Sequence, residues 1–111
     1  MTFEPFDVVL VPFPFTDAAL TVKRPAMVLS RSDFNAHGRA VLSMITDQRN
    51  EPWPLDVRID HTAAGLKMPS VARMKLFTLD TRLILRRIGR LGEPDRKAML
   101  ENLRRLLPGL E

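Results

Sequence analysis

Cysteine is absent from the 111-residue sequence, which excludes disulfides, thiolate metal sites and a cysteine nucleophile. The sequence also lacks long apolar runs, since no segment approaches the roughly 20 apolar residues of a membrane-spanning helix. Its first residues have neither the basic region nor the long apolar stretch of a secretory signal. We therefore expect a soluble, cytoplasmic protein that does not bind a membrane.

Motifs of the common cofactor-dependent and hydrolytic enzymes are missing too. There is no P-loop, no GxGxxG and no GxSxG, and the carboxylates are scattered without paired spacing. Two histidines, His37 and His61, could in principle act as the acid and base of a ribonuclease, but both lie in loop-like sequence. Their spacing also fits no common metal site. We predict no metal and no cofactor.

Length and composition are those of a small globular protein. The chain is long enough for one compact core and too short for two, so we expect a single domain over residues 1–111. Residues 1–81 contain nine basic and nine acidic side chains, so the net charge of +4 arises in residues 82–111. This excess favours nucleic acid or an acidic protein as partner, although a solvated basic face is equally typical.

Hydrophobic patterns predict a mainly β protein. Short apolar or alternating segments predict strands over residues 7–13, 24–30, 40–46, 56–60, 70–77 and 83–88. The segments 14–23 and 47–55 have turn residues or prolines and no sustained period, which predicts loops. Short strands with few residues between them indicate a small barrel.

The last part of the sequence changes to helical spacing. Leucines and a methionine recur on one side of residues 94–107, and charged residues fill the other side. Pro94 suits the first turn, and Arg104 and Arg105 suit the negative end of the helix dipole. We predict one amphipathic C-terminal helix.

Several segments, taken in order, resemble the MazF/PemK toxin family over nearly the whole chain. They are DVVLVPFPFTD (7–17), RPAMVLS (24–30), MIT (44–46), PSVAR (69–73), LFTLD (76–80) and IGRL (88–91). The resemblance implies a small SH3-like barrel of the CcdB/MazF type, a homodimer, and cleavage of single-stranded RNA without a metal. It also implies a cognate antitoxin with an acidic tail and, together with that antitoxin, binding to DNA.

By the same resemblance, Arg24 and Thr46 are the catalytic residues. A guanidinium stays charged at any working pH and offers paired donors to phosphoryl oxygens, so Arg24 would stabilise the charge that develops there. The hydroxyl of Thr46 can hold the same phosphoryl group in line. Without the family pattern, a salt-bridged arginine at a strand edge is the simpler interpretation. No general base is evident.

Residues expected to bind the substrate flank this pair: Phe15, Thr16, Asp17, Lys23 and Ser70. Phe15 could stack on an unpaired base or plug the barrel mouth, and Lys23 could contact phosphate or be an ordinary surface lysine. Ser70 could support the site or simply bond to the backbone.

The only tryptophan, Trp53, could contact RNA or antitoxin, or cap the barrel. The loop over residues 18–22 departs from the best-known family pattern, and a glutamine frequent in the family is missing near Lys75.

Two other classes of function stay open. A gyrase-binding toxin of the CcdB type has the same barrel, but it depends on a C-terminal tail with a tryptophan, and residues 107–111 contain no aromatic residue. A non-catalytic SH3-like module that binds RNA or protein would have no need of both Arg24 and Thr46.

Overall fold

A computed structural model of the protein describes residues 2–14 and 22–110. The described chain forms strands, two α-helices and one 3₁₀ turn. In chain order they are β1 (Asp7–Phe13), β2 (Val22–Val28), α1 (Ser32–Asn35), β3 (Arg39–Asp47), β4 (Val57–Ile59), β5 (Ser70–Asp80), the 3₁₀ turn (Thr81–Leu83), β6 (Arg86–Arg90) and α2 (Glu93–Leu106).

The strands form one curled antiparallel sheet in the order β4-β5-β3-β2-β1-β6. The sheet is a half-barrel followed by the C-terminal helix, so the prediction of a mainly β barrel-like fold with one such helix is confirmed. Neighbours in the chain are mostly neighbours in the sheet, and β6 returns to pair with β1.

Both faces of the central strands are buried, which explains the nearly continuous apolar run of β1. Val9 and Val11 point into a core that includes Val28 and Leu42. Val8 points to the opposite side, into a second core with residues that include Met27, Ile45, Leu91 and Met99. Because successive side chains of a strand point to opposite faces, a strand between two cores has no wet side and shows no polar alternation.

Some element boundaries differ from those predicted. Strand β2 covers residues 22–28 rather than 24–30, and β5 continues to Asp80 instead of ending at residue 77. The turn expected at residues 80–81 is a 3₁₀ turn, in which the Asp80 carboxylate accepts the backbone N–H of Arg82. This turn displaces the start of β6 to Arg86, because residues 81–84 form the turn and its C-cap, and pairing with β1 begins with the bond from Leu85 N–H to the Leu10 carbonyl oxygen.

Helix α1 was not predicted, because it is only four residues long and has no apolar period. It depends on Asn35, whose buried side chain donates to the carbonyl oxygens of Phe3 and Ser30 and accepts a hydrogen bond from the Ser30 hydroxyl. These contacts tie the N-terminal segment to the connection between β2 and β3.

Helix α2 confirms the amphipathic pattern, with bounds one residue earlier than predicted. Met99 is fully buried and Leu103 packs against the same core, whereas Leu100, Leu106 and Leu107 are each about 40% exposed. The apolar side of the helix is therefore wider than the surface that the sheet covers. No helix in the described part of the chain is long and apolar enough to cross a membrane.

Two glycines allow a close backbone crossing between β6 and the turn over residues 60–65. A Cβ added at Gly89 would lie 2.3 Å from the carbonyl oxygen of Ala64, and Gly65 has a positive φ of 81° with its own Cβ position 2.7 Å from Ile88 O. Only residues without a Cβ fit such an approach. The turn consequently packs directly on the edge strand β6.

We expect Met99→Ala to lower the free energy of unfolding by about 2–5 kcal/mol, because it removes a fully buried side chain and leaves a cavity. The matched control is Leu100→Ala, one residue further along the helix on its exposed side, which we expect to cost about 1 kcal/mol or less. Urea unfolding measures both values. Equal losses would contradict this assignment of the buried side of α2.

Candidate functional site

The candidate site opens where strands β2 and β3 stop pairing. Their ladder joins Ala26–Val28 to Leu42–Met44, and the same register continued for two more residues would set Arg24 opposite Thr46. Leu29 donates its backbone N–H to Val41 of β3. Backbone hydrogen-bonding groups alternate along a strand, so those of Met27 and Pro25 are also directed at β3. Because proline has no N–H, it cannot extend that ladder. Arg24 and Thr46 therefore flank an opening.

Two clefts meet at this opening, and Arg24 and Thr46 line both of them. The wide cleft, of about 530 Å³, is also lined by residues that include Lys23, Arg49, Lys67 and Ser70. The narrow cleft, of about 200 Å³, is also lined by residues that include Phe13, Trp53, Arg73 and Lys75. A chain that crosses from one cleft to the other must pass the Arg24–Thr46 pair.

The side chain of Arg24 is exposed and projects from β2. Its guanidinium carbon lies 6.0 Å from the centre of the Phe13 ring, at the outer limit of a cation–π contact. Within residues 2–14 and 22–110, no carboxylate forms an ion pair with it. The simpler interpretation as a salt-bridged strand-edge arginine thus finds no partner in that part of the chain.

Thr46 is held by a turn that follows β3. Asp47 accepts hydrogen bonds from the backbone N–H and the guanidinium of Arg49, and the side-chain hydrogen bonds from Arg49 lower the pKa of Asp47 below its ordinary value. The turn brings the Asn50 amide to Thr46, where Nδ2 donates to Oγ1 over 2.7 Å. Since Oγ1 accepts this bond, the O–H of Thr46 is available to donate to another group.

A buried clamp holds the loop that forms one wall of the narrow cleft. Arg73, only 9% exposed, donates two hydrogen bonds to the Asp56 carboxylate, at 3.0 and 3.1 Å, and one to the carbonyl oxygen of Glu51. Its guanidinium carbon lies 5.0 Å from the Trp53 ring centre. Asp56 in turn accepts the backbone N–H of Trp53. One arginine therefore fixes both ends of residues 51–56.

The carboxyl of Asp56 stays ionised in this clamp. Burial is the largest single influence and raises the pKa of Asp56, but the hydrogen bonds from Arg73 and from the Trp53 N–H, with the charge of Arg73, together outweigh it. The pKa of Asp56 consequently lies below its ordinary value of 3.8.

The clefts are strongly basic. Among the residues that the structure describes, Asp47 is the one acidic residue that lines them, and it is paired with Arg49. The basic lining residues are Lys23, Arg24, Arg49, Lys67, Arg73 and Lys75. The arrangement suits a polyanion, with donors along both clefts and an open hydroxyl at their junction.

Most arginines of the basic C-terminal segment have a different role. Arg87 and Arg90 pair with the fully buried Asp7, and Arg90 also pairs with Glu4. Ion pairs with Asp80 or Glu101 engage the other members of this group, which are Arg82, Arg104 and Arg105. The net charge of residues 82–111 thus largely supports the fold rather than the clefts.

The remaining sequence predictions meet the structure in different ways. Lys23 is exposed at the wide cleft, whereas Ser70 lies in its wall with a 5% exposed side chain that donates to the Met68 carbonyl oxygen. The predicted substrate contacts Phe15, Thr16 and Asp17 lie outside the described residues. Neither His37 nor His61 lines either cleft.

Sequence reasoning missed the roles of Asn50 and Arg73. A charged residue within the largely apolar strand β5 signals that a buried partner must exist, so Arg73 could have been marked as structurally important. Its partner could not, because Asp56 lies 17 residues earlier in the chain and meets it only when the loop closes.

Comparisons with known proteins identify the family of the chain. Residues 4–107 match the family described as PemK-like, MazF-like toxin of type II toxin-antitoxin system. The chain belongs to this family. None of the curated proteins compared with the sequence matches it.

Solved structures of similar fold are toxins of the same kind. The Mycobacterium tuberculosis toxin MazF-mt6 is 20% identical, with a TM-score of 0.72 over 87% of this chain and 91% of that one. A MazE–MazF structure from Deinococcus radiodurans is 19% identical, with a TM-score of 0.74 over 96% and 95%. A further M. tuberculosis toxin is 24% identical, with a TM-score of 0.66 over 76% and 92%. At these identities the likeness supports the fold alone.

We expect Arg73→Met to lower the free energy of unfolding by about 1–3 kcal/mol, because the largely buried carboxylate of Asp56 would lose the hydrogen bonds of its partner. The double variant Arg73→Met/Asp56→Leu should lose less than the single one, since it removes both charges. Urea unfolding followed by Trp53 fluorescence measures both. The single variant Asp56→Leu completes the comparison. If the loss of the double variant equals the sum of the losses of Arg73→Met and Asp56→Leu, the two side chains do not form the coupled clamp described.

The ion pair between Arg73 and Asp56 should also make the free energy of unfolding depend on pH. The pKa of Asp56 is lower in the folded chain than its ordinary 3.8, so its contribution is fully present above about pH 4 and is lost as the pH falls through the lowered value. The difference in unfolding free energy between wild type and Asp56→Asn should therefore be largest above about pH 4 and shrink below it. A difference that grows on acidification would contradict the direction of the shift.

Proposed function

We propose that the protein is the toxin of a type II toxin-antitoxin system and acts as a metal-independent, sequence-specific endoribonuclease on single-stranded RNA, as one domain in the cytoplasm. The observation that carries the proposal is the Arg24–Thr46 pair at the junction of two basic clefts. Family membership and the toxin fold support it. A single RNA strand that occupies both clefts would place one of its phosphodiesters beside these two side chains.

The chemistry follows from what the two side chains can donate. In the proposed reaction the ribose 2′-oxygen forms a bond to the adjacent phosphorus, and the bond from phosphorus to the 5′-oxygen breaks. Negative charge builds on the non-bridging oxygens and then on the leaving oxygen, where the guanidinium of Arg24 stabilises it. The O–H of Thr46, oriented by Asn50, donates to the phosphoryl group and holds it in line.

Proton transfers complete the reaction. The 2′-hydroxyl loses a proton to a base and the leaving 5′-oxygen takes one up, which yields a 2′,3′-cyclic phosphate and a 5′-hydroxyl. Arg24 is assigned to charge stabilisation rather than to proton donation, because a guanidinium with a pKa above about 12 releases its proton reluctantly. Water serves as the partner for both protons in this proposal.

Lys23 and the other cations of the wide cleft would contact phosphates on one side of the cut. Ser70 would act indirectly, because its hydroxyl holds the Met68 carbonyl and thereby the wall of the cleft. Phe15, Thr16 and Asp17 stay proposed substrate contacts on the strength of the family resemblance alone.

Two protein partners belong to the proposal. An antitoxin with an acidic tail would pair with the same basic clefts and block them, and one of the similar solved structures is a MazE–MazF structure. A second copy of the chain would form a homodimer, and its surface would cover the exposed leucines of α2.

The alternatives predict no cleavage. A gyrase-binding toxin of the CcdB type and a non-catalytic SH3-like module would both leave RNA intact, so one assay separates them from the proposed enzyme.

We expect purified protein to cut single-stranded RNA in the presence of EDTA. Arg24→Ala should lower kcat/KM about 10²- to 10³-fold, the usual effect of removing a charged donor from a phosphoryl or oxyanion site. Thr46→Ala should lower it about tenfold, because one hydrogen bond to the reacting group is lost. Gel analysis of a labelled RNA pool, with the ends of the products identified, measures these effects.

Arg39→Ala is the matched control, since Arg39 is an exposed arginine at the opposite end of β3, roughly 20 Å from Thr46 along the strand. It should cut like wild type. Intact RNA with wild-type protein across many sequences would refute the ribonuclease proposal. Undiminished cutting by Arg24→Ala would refute only the assignment of the site.

A further inference from the structure

We propose that the narrow cleft is a nucleobase subsite in which Trp53 stacks on the base next to the scissile phosphate. The inference rests on the proposed ribonuclease function and adds to it a residue that selects and orients the substrate. Trp53 lines this cleft together with Arg24 and Thr46, so a base on its ring would lie beside the phosphate that these residues contact.

The first observation is the exposure of an aromatic ring at a basic cleft. Trp53 is 44% exposed although it is the largest apolar side chain of the protein. A solvent-exposed indole has an open π-face on which a planar base can stack. Neither apolar core includes Trp53 among its buried or packed residues.

The second observation is that the ring is supported from one side. The guanidinium carbon of Arg73 lies 5.0 Å from the Trp53 ring centre, and hydrogen bonds to Asp56 and Glu51 prevent Arg73 from moving away. The arginine lies over one face of the indole, and Trp53 is still 44% exposed and lines the cleft. A base would therefore complete a stack of cation, indole and base.

The third observation is that the loop is held rigid before any ligand arrives. Pro52 and Pro54 flank Trp53 and restrict the backbone on both sides. Leu55 adopts a left-handed φ of 66°, which is unfavourable for a residue with a Cβ, and Asn102 of α2 donates to its carbonyl oxygen. A platform that is already ordered loses little entropy when a base stacks on it.

The opposite side of the cleft has the chemistry of a nucleotide site rather than of a purely apolar pocket. Lys75 Nζ lies 5.8 Å from the centre of the Phe13 ring, and Arg24 approaches the same ring. Cations next to aromatic rings suit a ligand that combines a flat π-system with phosphate charge. A nucleotide of single-stranded RNA has both features within one unit.

The experiment combines Trp53→Leu with abasic substitution in the RNA. A set of short RNAs is made from one cleaved sequence, each with an abasic nucleotide at one position near the cut, and kcat/KM is measured in EDTA. We expect Trp53→Leu to lower kcat/KM about ten- to hundredfold on the intact RNA and to have no further effect when the base next to the cut is missing. Trp53→Phe, which keeps a ring, should recover most of the activity.

Phe34→Leu is the matched control, because Phe34 is an exposed aromatic residue on α1 that lines neither cleft. It should cut like wild type. Circular dichroism of each variant identifies any loss of folding. The proposal is overturned if Trp53→Leu cuts like wild type, or if it loses the same factor on intact and abasic RNA, since either result removes the link between the ring and that base.

A second measurement separates this inference from the ribonuclease proposal. Trp53 is the only tryptophan and the chain has no tyrosine, so its emission reports on this ring alone. Single-stranded oligonucleotides with 2′-deoxy sugars throughout cannot react and require no known cut, and we expect at least one sequence to quench the emission and to lose this effect when one of its bases is removed. Quenching without cleavage of ordinary RNA would refute the proposed enzyme while the base subsite stands. Quenching only by an acidic peptide, and by no RNA, would overturn the subsite.

Discussion

The early end of the ladder between β2 and β3 is the constraint on which the functional surface depends. Pro25 faces β3 without an N–H, and beyond Ala26 the two strands are no longer paired. On its other side β2 stays bonded to β1, and both strands are packed between two cores, so the opening does not loosen the sheet. Arg24 and Thr46 thereby combine backbone positions held by β1 and β5 with an opening between the two strands.

The sequence predicted the parts of the molecule that local pattern determines. The apolar run of β1 and the helical spacing around Met99 gave the right elements, and the ordered family motifs led to Arg24 and Thr46. The contacts of Asn50 and Arg73 were not predictable in this way, because each depends on how a loop closes. Whether Asn50 reaches Thr46 is decided by the turn that Asp47 caps, and such turns have only weak signatures in a single sequence.

The distribution of charge along the sequence also differs from its distribution in the structure. Residues 1–81, which supply the six basic lining residues, contain equal numbers of acidic and basic side chains, yet of the acidic residues described in that segment only Asp47 lines the clefts. The segment with the excess charge directs several of its arginines to carboxylates that hold the fold together, among them Asp7. The position of the net charge in the sequence therefore does not indicate where the basic clefts lie in the structure.

The crossing of Gly89 and Ala64 links the geometry of the wide cleft to a position that has no side chain. The turn that rests on Gly89 leads directly into Leu66 and Lys67, which form part of the cleft wall. A single methyl group at residue 89 would push the Ala64 carbonyl from 2.3 Å to an ordinary contact distance, and the wall would move with it. The width of the cleft thus depends on the edge strand β6, and a substitution at residue 89 would change it without altering any residue that lines the cleft.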